Sequence, residues 1–343
     1  MATATPESVF QKALEAKASD VHVAVGSPLI LRIDGVLVPE SKEDLTAADA
    51  EKFVRSVLSE AEYKRLQEAK EIDVSYTISN GTRLRVNCHY ERGNLGLVAR
   101  VIPNDIPSLA EIDLADIAGR FLNLTEGLIL FTGPTGTGKS TSLASMIQAI
   151  NQSQARSIVT LEDPIEFLFP KGKGVIRQRQ LGQDFLSFAE ALKRVLRQDP
   201  NIVMVGEMRD PETIAAALTL AETGHLILAT LHTPNAVQTV DRIIDVFPPY
   251  QQPQIRSQLS MSLKVVIAQN LLPKVGGGRV AQREVLVSTP AVSNIIRDNR
   301  LQELRSVLQT SSDLGMTSFE KDAKRLYKDG VISKETYEMV VGE

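Results

Sequence analysis

From about residue 114 to residue 247, short apolar runs alternate with longer segments whose apolar residues recur at helical spacing. An apolar run without polar alternation is typical of a strand that is buried on both faces, and such strands occur in parallel sheets covered by helices. This part of the chain therefore predicts an α/β domain. Its predicted strands are residues 128–131, 158–161, 202–205 and 226–229.

The first hundred residues show a different pattern, in which apolar and polar residues alternate one by one. The clearest case surrounds Asn80-Gly81, a dipeptide that favours the tight turn of a β-hairpin. Residues 74–78 and 84–90 alternate on its two sides, and Cys88 falls on the apolar face. An α+β domain is therefore predicted here, with further strands at about 21–25, 29–33 and 97–102 and helices at about 5–17 and 47–58.

Two other segments complete the predicted organisation. Residues 103–108 are polar and proline-rich, so we place a linker at 104–112 between a domain of residues 1–103 and a domain of residues 113–343. From about residue 248 the pattern is mostly helical. It is broken by three glycines at 276–278 and by one predicted strand at 284–287.

Composition limits the possible functions. The 343 residues carry a net charge of −4, so the chain has no bulk attraction to nucleic acid or anionic lipid. Cys88 is the single cysteine, which excludes an internal disulfide and a four-cysteine zinc site. Because no apolar stretch reaches the roughly 18 residues of a membrane span, we expect a cytoplasmic protein without direct membrane insertion.

A glycine-rich segment directly follows the first predicted strand of the α/β domain. Residues 133–140 fit the pattern G-x-x-x-x-G-K-[ST] and precede a predicted helix, which is the setting of a nucleotide-binding P-loop. In such loops the lysine, here Lys139, reaches the β- and γ-phosphates, and the next hydroxyl, here Ser140, ligates Mg²⁺. We therefore predict that ATP is bound by Gly133, Pro134, Thr135, Gly136, Thr137, Gly138, Lys139, Ser140 and Thr141.

Acidic residues and histidines stand at the ends of the other predicted strands. Glu162 and Glu166 follow the second strand, and Glu207 follows the third. His232 follows the fourth strand, and His225 precedes it. Residues beyond the carboxyl ends of parallel strands can face a bound ligand, where carboxylates hold Mg²⁺ or orient water and an imidazole contacts the γ-phosphate. Each residue alone is also compatible with a helix cap, a solvated side chain or a structural histidine.

Basic residues of the first domain form a second candidate group. Arg83, Arg85, Arg92 and Arg100 lie on or beside the predicted hairpin and the strand after it. They are either a solvated face or arginines that reach the nucleotide of a neighbouring subunit, as arginine fingers do. The sequence pattern does not indicate which of the four arginines would reach a neighbouring subunit.

The ordered motifs resemble those of the secretion ATPases of type IV pili and type II secretion. After the P-loop, which that family calls Walker A, come an Asp box at 160–166 (TLEDPIE), a Walker B segment at 199–210 (DPNIVMVGEMRD) and a His box at 222–233. The segment Ala18-Ser19-Asp20-Val21-His22 also resembles the family, so the likeness covers nearly the whole chain.

Within that family the chain is most similar to the retraction ATPases. Assembly and type II secretion ATPases usually carry an extra N-terminal domain and a four-cysteine zinc insertion, and we expect neither in this chain. Residues 291–297 (AVSNIIR) resemble a stretch of the retraction ATPases, with a departure at Ser293, where those proteins usually have arginine. A role for that side chain is therefore not expected here.

The resemblance implies a fold, a site and partners. The fold is a small PAS-like domain followed by a RecA-like P-loop domain, assembled into a hexameric ring that works on an integral-membrane pilus platform protein at the inner membrane, without nucleic acid. ATP and Mg²⁺ are the implied cofactors, with Ser140 and Glu207 as metal ligands. The implied catalytic residues are Glu162, Glu166, Glu207, His225 and His232, with Arg85 and Arg100 contributed across the interface.

Three other functions are alternatives. A nucleic-acid translocase on the same core predicts a basic or aromatic lining, which a chain with 5% aromatic residues and a negative net charge does not favour. An ATP-binding scaffold without turnover does not account for acids after the strands. An assembly or secretion ATPase of the same family is the third. The leading prediction is a hexameric ATPase that powers pilus retraction and twitching motility.

Overall fold

The structure, a computed structural model, describes residues 5–33, 35–102 and 105–342. The chain divides into two compact units, Met1–Asp105 and Ile106–Glu343. Pro103 and Asn104 of the predicted proline-rich segment lie outside the described residues, and the domain limits inferred from the sequence stay a prediction.

The helices of the first unit are α1 (Pro6–Glu15), α2 (Ala47–Val57) and α3 (Glu60–Ala69). Those of the second unit are α4 (Ala115–Ala118), α5 (Lys139–Ser153), α6 (Phe188–Val195), α7 (Pro211–Glu222), α8 (Ala236–Asp245), α9 (Gln252–Ser262), α10 (Pro290–Arg297), α11 (Leu304–Thr310), α12 (Phe319–Lys328) and α13 (Lys334–Val341). Within the described ranges, no helix has both the length and the apolar character that crossing a bilayer requires.

The first unit contains an antiparallel sheet whose strands lie in the order β3-β2-β1-β6-β5-β4. Their bounds are β1 (Asp20–Val23), β2 (Ile30–Ile33), β3 (Val36–Pro39), β4 (Glu71–Thr77), β5 (Arg83–Glu91) and β6 (Asn94–Val101). The predicted hairpin is β4 and β5, in which Val74 pairs with Val86 and Cys88 is fully buried. Helix α3 and strand β3 were not predicted from the sequence.

The second unit contains a sheet of order β13-β12-β7-β11-β10-β8-β9. Its strands are β7 (Gly127–Thr132), β8 (Ser157–Glu162), β9 (Val175–Gln180), β10 (Ile202–Val205), β11 (Leu226–Leu231), β12 (Leu263–Pro273) and β13 (Arg279–Val287). The four strands predicted from apolar runs are β7, β8, β10 and β11, and their pairings are parallel as expected.

Both faces of this sheet are buried. Leu128 and Leu130 of β7 pack in one apolar cluster with residues of α6, α7 and α9. The alternate residues Ile129 and Phe131 pack in a second cluster with Leu143 and other residues of α5. Because successive side chains of a strand point to opposite faces, helices cover the sheet on both sides.

The prediction of a mostly helical region after about residue 248 was wrong for residues 263–273 and 279–283, which are strands. Strand β12 follows α9 without a break, lies parallel to β7, and forms an antiparallel hairpin with β13 around the predicted glycine break. The predicted strand at 284–287 is the end of β13. A buried strand without polar alternation has no period that distinguishes it from a buried helix, which explains the error.

Side-chain caps begin the helices that follow two of the strands. The carboxylate of Asp210 accepts a hydrogen bond from the Thr213 N–H at 2.8 Å, and Pro211 is the first residue of α7. Ser187 caps α6 by accepting from the Glu190 N–H, while the Glu190 carboxylate accepts from Lys193 at 2.8 Å. These caps fix where the loops after β9 and β10 end and their helices begin.

Candidate active site

The predicted site residues gather at one edge of the second sheet. Strands β7, β11, β10 and β8 are parallel neighbours, so their carboxyl ends lie side by side. The P-loop follows β7, His232 follows β11, Glu207 lies two residues beyond β10, and Glu162 ends β8. The sheet order therefore brings together residues that are separated by up to about a hundred positions.

The P-loop bends away from β7 through glycines that other residues cannot replace. Gly133 has φ 139°, and a Cβ at this position would lie 2.2 Å from the backbone oxygen of Gln269 on β12. Gly138 has φ 83° and directly precedes α5. The positive φ angles and the close approach of β12 explain why the loop begins and ends with glycine.

Lys139 lies inside the loop rather than in solvent. Its side-chain Nζ donates to the backbone oxygens of Gly133 at 2.8 Å and Pro134 at 2.9 Å, and the residue is 7% exposed. Burial lowers the pKa of Lys139, although the charges of Glu207 and Glu166 act to raise it. The ammonium group is thus held inside the loop by two backbone carbonyls.

Glu207 is held from two sides. One carboxylate oxygen lies 2.7 Å from Arg209 Nη2, and the other lies 3.2 Å from His232 Nε2. Burial acts to raise the pKa of Glu207, but the hydrogen bonds from Arg209 and His232 and the charge of Arg209 outweigh it and lower the pKa. The carboxylate is therefore ionised at neutral pH and its position is defined.

His232 links Glu207 to the P-loop. Its Nδ1 lies 3.5 Å from both Lys139 Nζ and Thr135 Oγ1, while Nε2 faces the Glu207 carboxylate. When the ring proton lies on Nε2, that nitrogen donates to the Glu207 carboxylate and the single lone pair of Nδ1 faces Lys139 Nζ and Thr135 Oγ1. His232 therefore connects the P-loop with Glu207, the acid beyond β10.

The two glutamates after β8 differ in their surroundings. Glu162 is buried and accepts hydrogen bonds from Thr160 Oγ1 at 2.7 Å and Gln178 Nε2 at 3.1 Å. Burial raises the pKa of Glu162 despite these bonds. Glu166 is exposed, and its backbone N–H donates to Glu162 at 3.4 Å. Glu166 is thus the more accessible of the pair, while Glu162 is a fixed, largely desolvated carboxyl group.

His225 is not brought to this edge of the sheet. It precedes β11, and its Nδ1 contacts the Leu220 backbone oxygen and Thr223 Oγ1, both at 3.3 Å. The six-residue strand between His225 and His232 is roughly 20 Å long at about 3.3 Å per residue. Within one chain, His225 therefore lies at the opposite end of β11 from the P-loop, and its predicted catalytic role stays a prediction.

The predicted arginines form part of a row in the first unit. Arg85 and Arg100 are directly paired across β5 and β6, and Asp20 of β1 pairs with Arg100 and with Arg32 of β2. The Asp20 carboxylate accepts from Arg100 Nε at 2.9 Å, while the Arg100 side chain is 70% exposed. Sequence reasoning missed Arg32, which the two-residue period of its strand could have placed on this face.

The chain matches a known protein family over a range that includes all of these site residues. A family model described as type II/IV secretion system protein matches residues 3–324. The chain belongs to this family. The prediction of a P-loop ATPase of the secretion ATPase family is thereby confirmed.

Individual members of the family are similar over most of their length. The type IV pilus retraction ATPase PilT of Pseudomonas aeruginosa is 41% identical over 93% of this chain and 92% of its own. A twitching motility protein of Neisseria gonorrhoeae is 43% identical over 94% of this chain and 86% of its own. A crystal structure of the pilus retraction motor PilT with bound ADP superposes with a TM-score of 0.91 at 41% identity, covering 98% of this chain and 97% of that one.

These relatives confirm the predicted fold class of the secretion ATPase, an α/β chain with a smaller N-terminal domain ahead of a RecA-like domain. They also place the chain among proteins that act on nucleotide, since the crystallised PilT holds ADP.

The donors near the P-loop of this secretion ATPase suit Mg²⁺ bound together with phosphate. Among the described residues, no group of three or more His, Cys, Asp or Glu side chains could hold a metal by itself. Mg²⁺ typically takes one or two protein oxygens and completes its shell with phosphates and water. The hydroxyl of Ser140 in the first turn of α5 and the ionised carboxylate of Glu207 are oxygen donors of this kind.

Proposed function

We propose that this chain is a motor ATPase that hydrolyses ATP to power retraction of a type IV pilus. The observation that carries the proposal is the meeting of Lys139, His232 and Glu207 at one edge of the sheet, in a chain 41% identical to PilT over 93% of its length. Phosphate binding, an ionised acid and a bridging imidazole supply the parts that phosphoryl transfer requires.

The P-loop binds and orients the triphosphate. Backbone N–H groups of the loop and the start of α5 surround the phosphate oxygens, and Lys139 exchanges the carbonyls of Gly133 and Pro134 for the β- and γ-phosphates. When bound, Mg²⁺ supplies positive charge that offsets the charge developing on the phosphates. Ser140 and Glu207 are the residues proposed to hold it, directly or through water.

The acids organise the attacking water. Water attacks the γ-phosphorus, the bond to the bridging oxygen of ADP breaks, and the proton of the water passes to a carboxylate. Glu207 is fixed for this role by Arg209 and His232, and His232 is also placed to hydrogen-bond the γ-phosphate. Glu162 and Glu166 are the further candidates, and they are proposed to order the water or the metal shell.

The working form is proposed to be a homohexamer. In it the first unit of one subunit would present Arg85 and Arg100 to the nucleotide of its neighbour, where guanidinium groups stabilise charge on the transferring phosphate. The exposed position of Arg100 on the row across β1 and β6 leaves it able to reach another chain. An integral-membrane pilus platform protein is the proposed mechanical partner, and it would hold the motor at the inner membrane.

Cells lacking the chain should carry long surface pili and lose twitching motility, because polymerisation would continue while retraction stops. A copy carrying Lys139→Ala should not restore twitching, since retraction needs hydrolysis. Electron microscopy of pili and stab-plate twitching zones measure both. A bald deletion strain would identify an assembly motor, and piliated, twitching cells would point to a scaffold or another role.

Arg100→Ala should retain nucleotide binding while hydrolysis falls by roughly 10²-fold or more, the scale of one preorganised hydrogen-bond donor to a transition-state charge. Steady-state phosphate release and nucleotide titration measure the two effects. Arg100→Lys keeps a charge for Asp20 but lacks the guanidinium fork, so it should recover little activity. Arg55→Ala, which removes an exposed arginine of α2 in the same unit, is the matched control. A fully active monomer by light scattering would refute the shared site.

A further inference from the structure

Gln269 of β12 contacts the P-loop at both ends. Its backbone oxygen occupies the space that a side chain at Gly133 would need, and its side-chain Nε2 lies 3.0 Å from the position of a Cβ at Gly138. The same Nε2 donates to the backbone oxygen of Thr137, and Oε1 accepts from Ser142 Oγ of α5 at 2.9 Å. Gln269 is 1% exposed, so these bonds form without competing water.

Arg283 of β13 orients the amide of Gln269. It is 2% exposed, and its Nε donates to Gln269 Oε1 at 3.1 Å. The other two nitrogens donate to the backbone oxygens of Asp113 at 2.7 Å and Ile112 at 2.8 Å. Burial lowers the pKa of Arg283 to about 10, which still leaves the guanidinium charged at neutral pH. Each of the three guanidinium nitrogens thus donates to a different acceptor, and the planar group fixes their relative directions.

Helix α12 contacts the backbone of Arg283. The Arg283 backbone N–H donates to Asp322 Oδ2 of this helix at 2.7 Å. Arg325 joins Asp322 at 2.8 Å and Asp113 at 2.6 Å, so the same helix also contacts the segment that Arg283 binds. A continuous set of hydrogen bonds and ion pairs therefore runs from α12 and residues 112–113, through Arg283 and Gln269, to the P-loop.

We propose that Gln269 and Arg283 are positioning residues for nucleotide binding, and that through them the shape of the P-loop depends on residues 112–113. Neither side chain is placed to touch the reacting phosphate, so each acts through the loop. Residues 112–113 belong to the second unit and lie seven and eight positions after Asp105, the last residue of the first unit. The proposal rests on the P-loop binding nucleotide, as in the proposed function.

Gln269→Leu tests the contact with the loop. It leaves the Thr137 carbonyl and the Arg283 Nε without their buried partner, so we expect nucleotide to bind about tenfold more weakly, with KM for ATP raised by a similar factor and kcat changed little. Gln282→Leu is the matched control. Gln282 is equally buried on β13, but its Nε2 donates to the Phe319 backbone oxygen. This variant should lower the midpoint of thermal unfolding without changing nucleotide affinity.

Arg283→Lys tests whether arginine acts through glutamine. One ammonium group cannot serve acceptors in three directions, so affinity should fall severalfold in the otherwise native chain and change little further in the Gln269→Leu background. Ser142→Ala, which removes a single bond to Gln269, provides a milder change should Gln269→Leu not fold, and it too should weaken binding.

Binding of a fluorescent ADP analogue and steady-state kinetics on the full chain decide the matter. Unchanged affinity in Gln269→Leu, or in Ser142→Ala when the former does not fold, would overturn the inference. Equal losses of nucleotide affinity in Gln282→Leu and Gln269→Leu would also overturn the inference, because such losses would reflect a loss of stability alone. Additive effects of Arg283→Lys and Gln269→Leu would overturn the role of Arg283. An unaltered chain that binds no nucleotide would instead refute the proposed function.

Discussion

Lys139→Ala is expected to weaken ATP binding by roughly 10²-fold or more and to abolish measurable hydrolysis. In the proposed function the lysine exchanges its two carbonyl partners for phosphate oxygens when nucleotide binds, and hydrogen bonds to charged groups are each worth about 1.5–3 kcal/mol. Isothermal titration calorimetry measures the binding. Thermal unfolding shows whether the variant is folded, because Lys139→Ala also removes the two bonds to the loop carbonyls.

Lys193→Ala is the control for this variant. Lys193 lies on α6 of the same unit, is well exposed and pairs with Glu190 at 2.8 Å, so its loss should leave binding unchanged. Binding of ATP by Lys139→Ala with native affinity would mean that residues 133–140 do not form the nucleotide site.

Glu207→Gln is expected to bind ATP with near-native affinity while turnover falls by roughly 10²-fold or more, the scale of an organised polar catalytic group. The carboxylate contacts Arg209 and His232 rather than the loop backbone, so the phosphate cradle should survive the change. Glutamine keeps the shape and one acceptor but carries no charge, and it cannot take a proton from water. Phosphate release under saturating ATP measures the loss.

An exposed glutamate provides the comparison for Glu207→Gln. Glu190→Gln on α6 removes a carboxylate whose partners are Lys193 and Arg194, and it should hydrolyse ATP at the native rate. Native turnover in Glu207→Gln would remove Glu207 from the site and leave Glu162 and Glu166 as the acids that remain near the P-loop.

The pattern of apolar runs was sufficient to predict the central part of the second sheet. Strands β7, β8, β10 and β11 are buried on both faces, and each is followed by a loop with polar or glycine residues that end the run. The Asn80-Gly81 hairpin was equally clear because one face of β5 is buried and the other is not. Strand β12 was missed since its apolar run continues from α9 without a turn signal.

The sequence by itself determined the P-loop, the acids after β8 and β10, and the family to which these motifs belong. All of these are local patterns, in which a few neighbouring residues carry the chemistry. Tertiary structure alone decided that His232 rather than His225 lies beside Glu207 and Lys139, because the two histidines stand at opposite ends of one strand. It also placed Gln269 against the P-loop and Arg283 against Gln269. The contact between Gln269 and Thr137 spans more than a hundred positions and depends on the order of strands in the sheet, which no local pattern encodes.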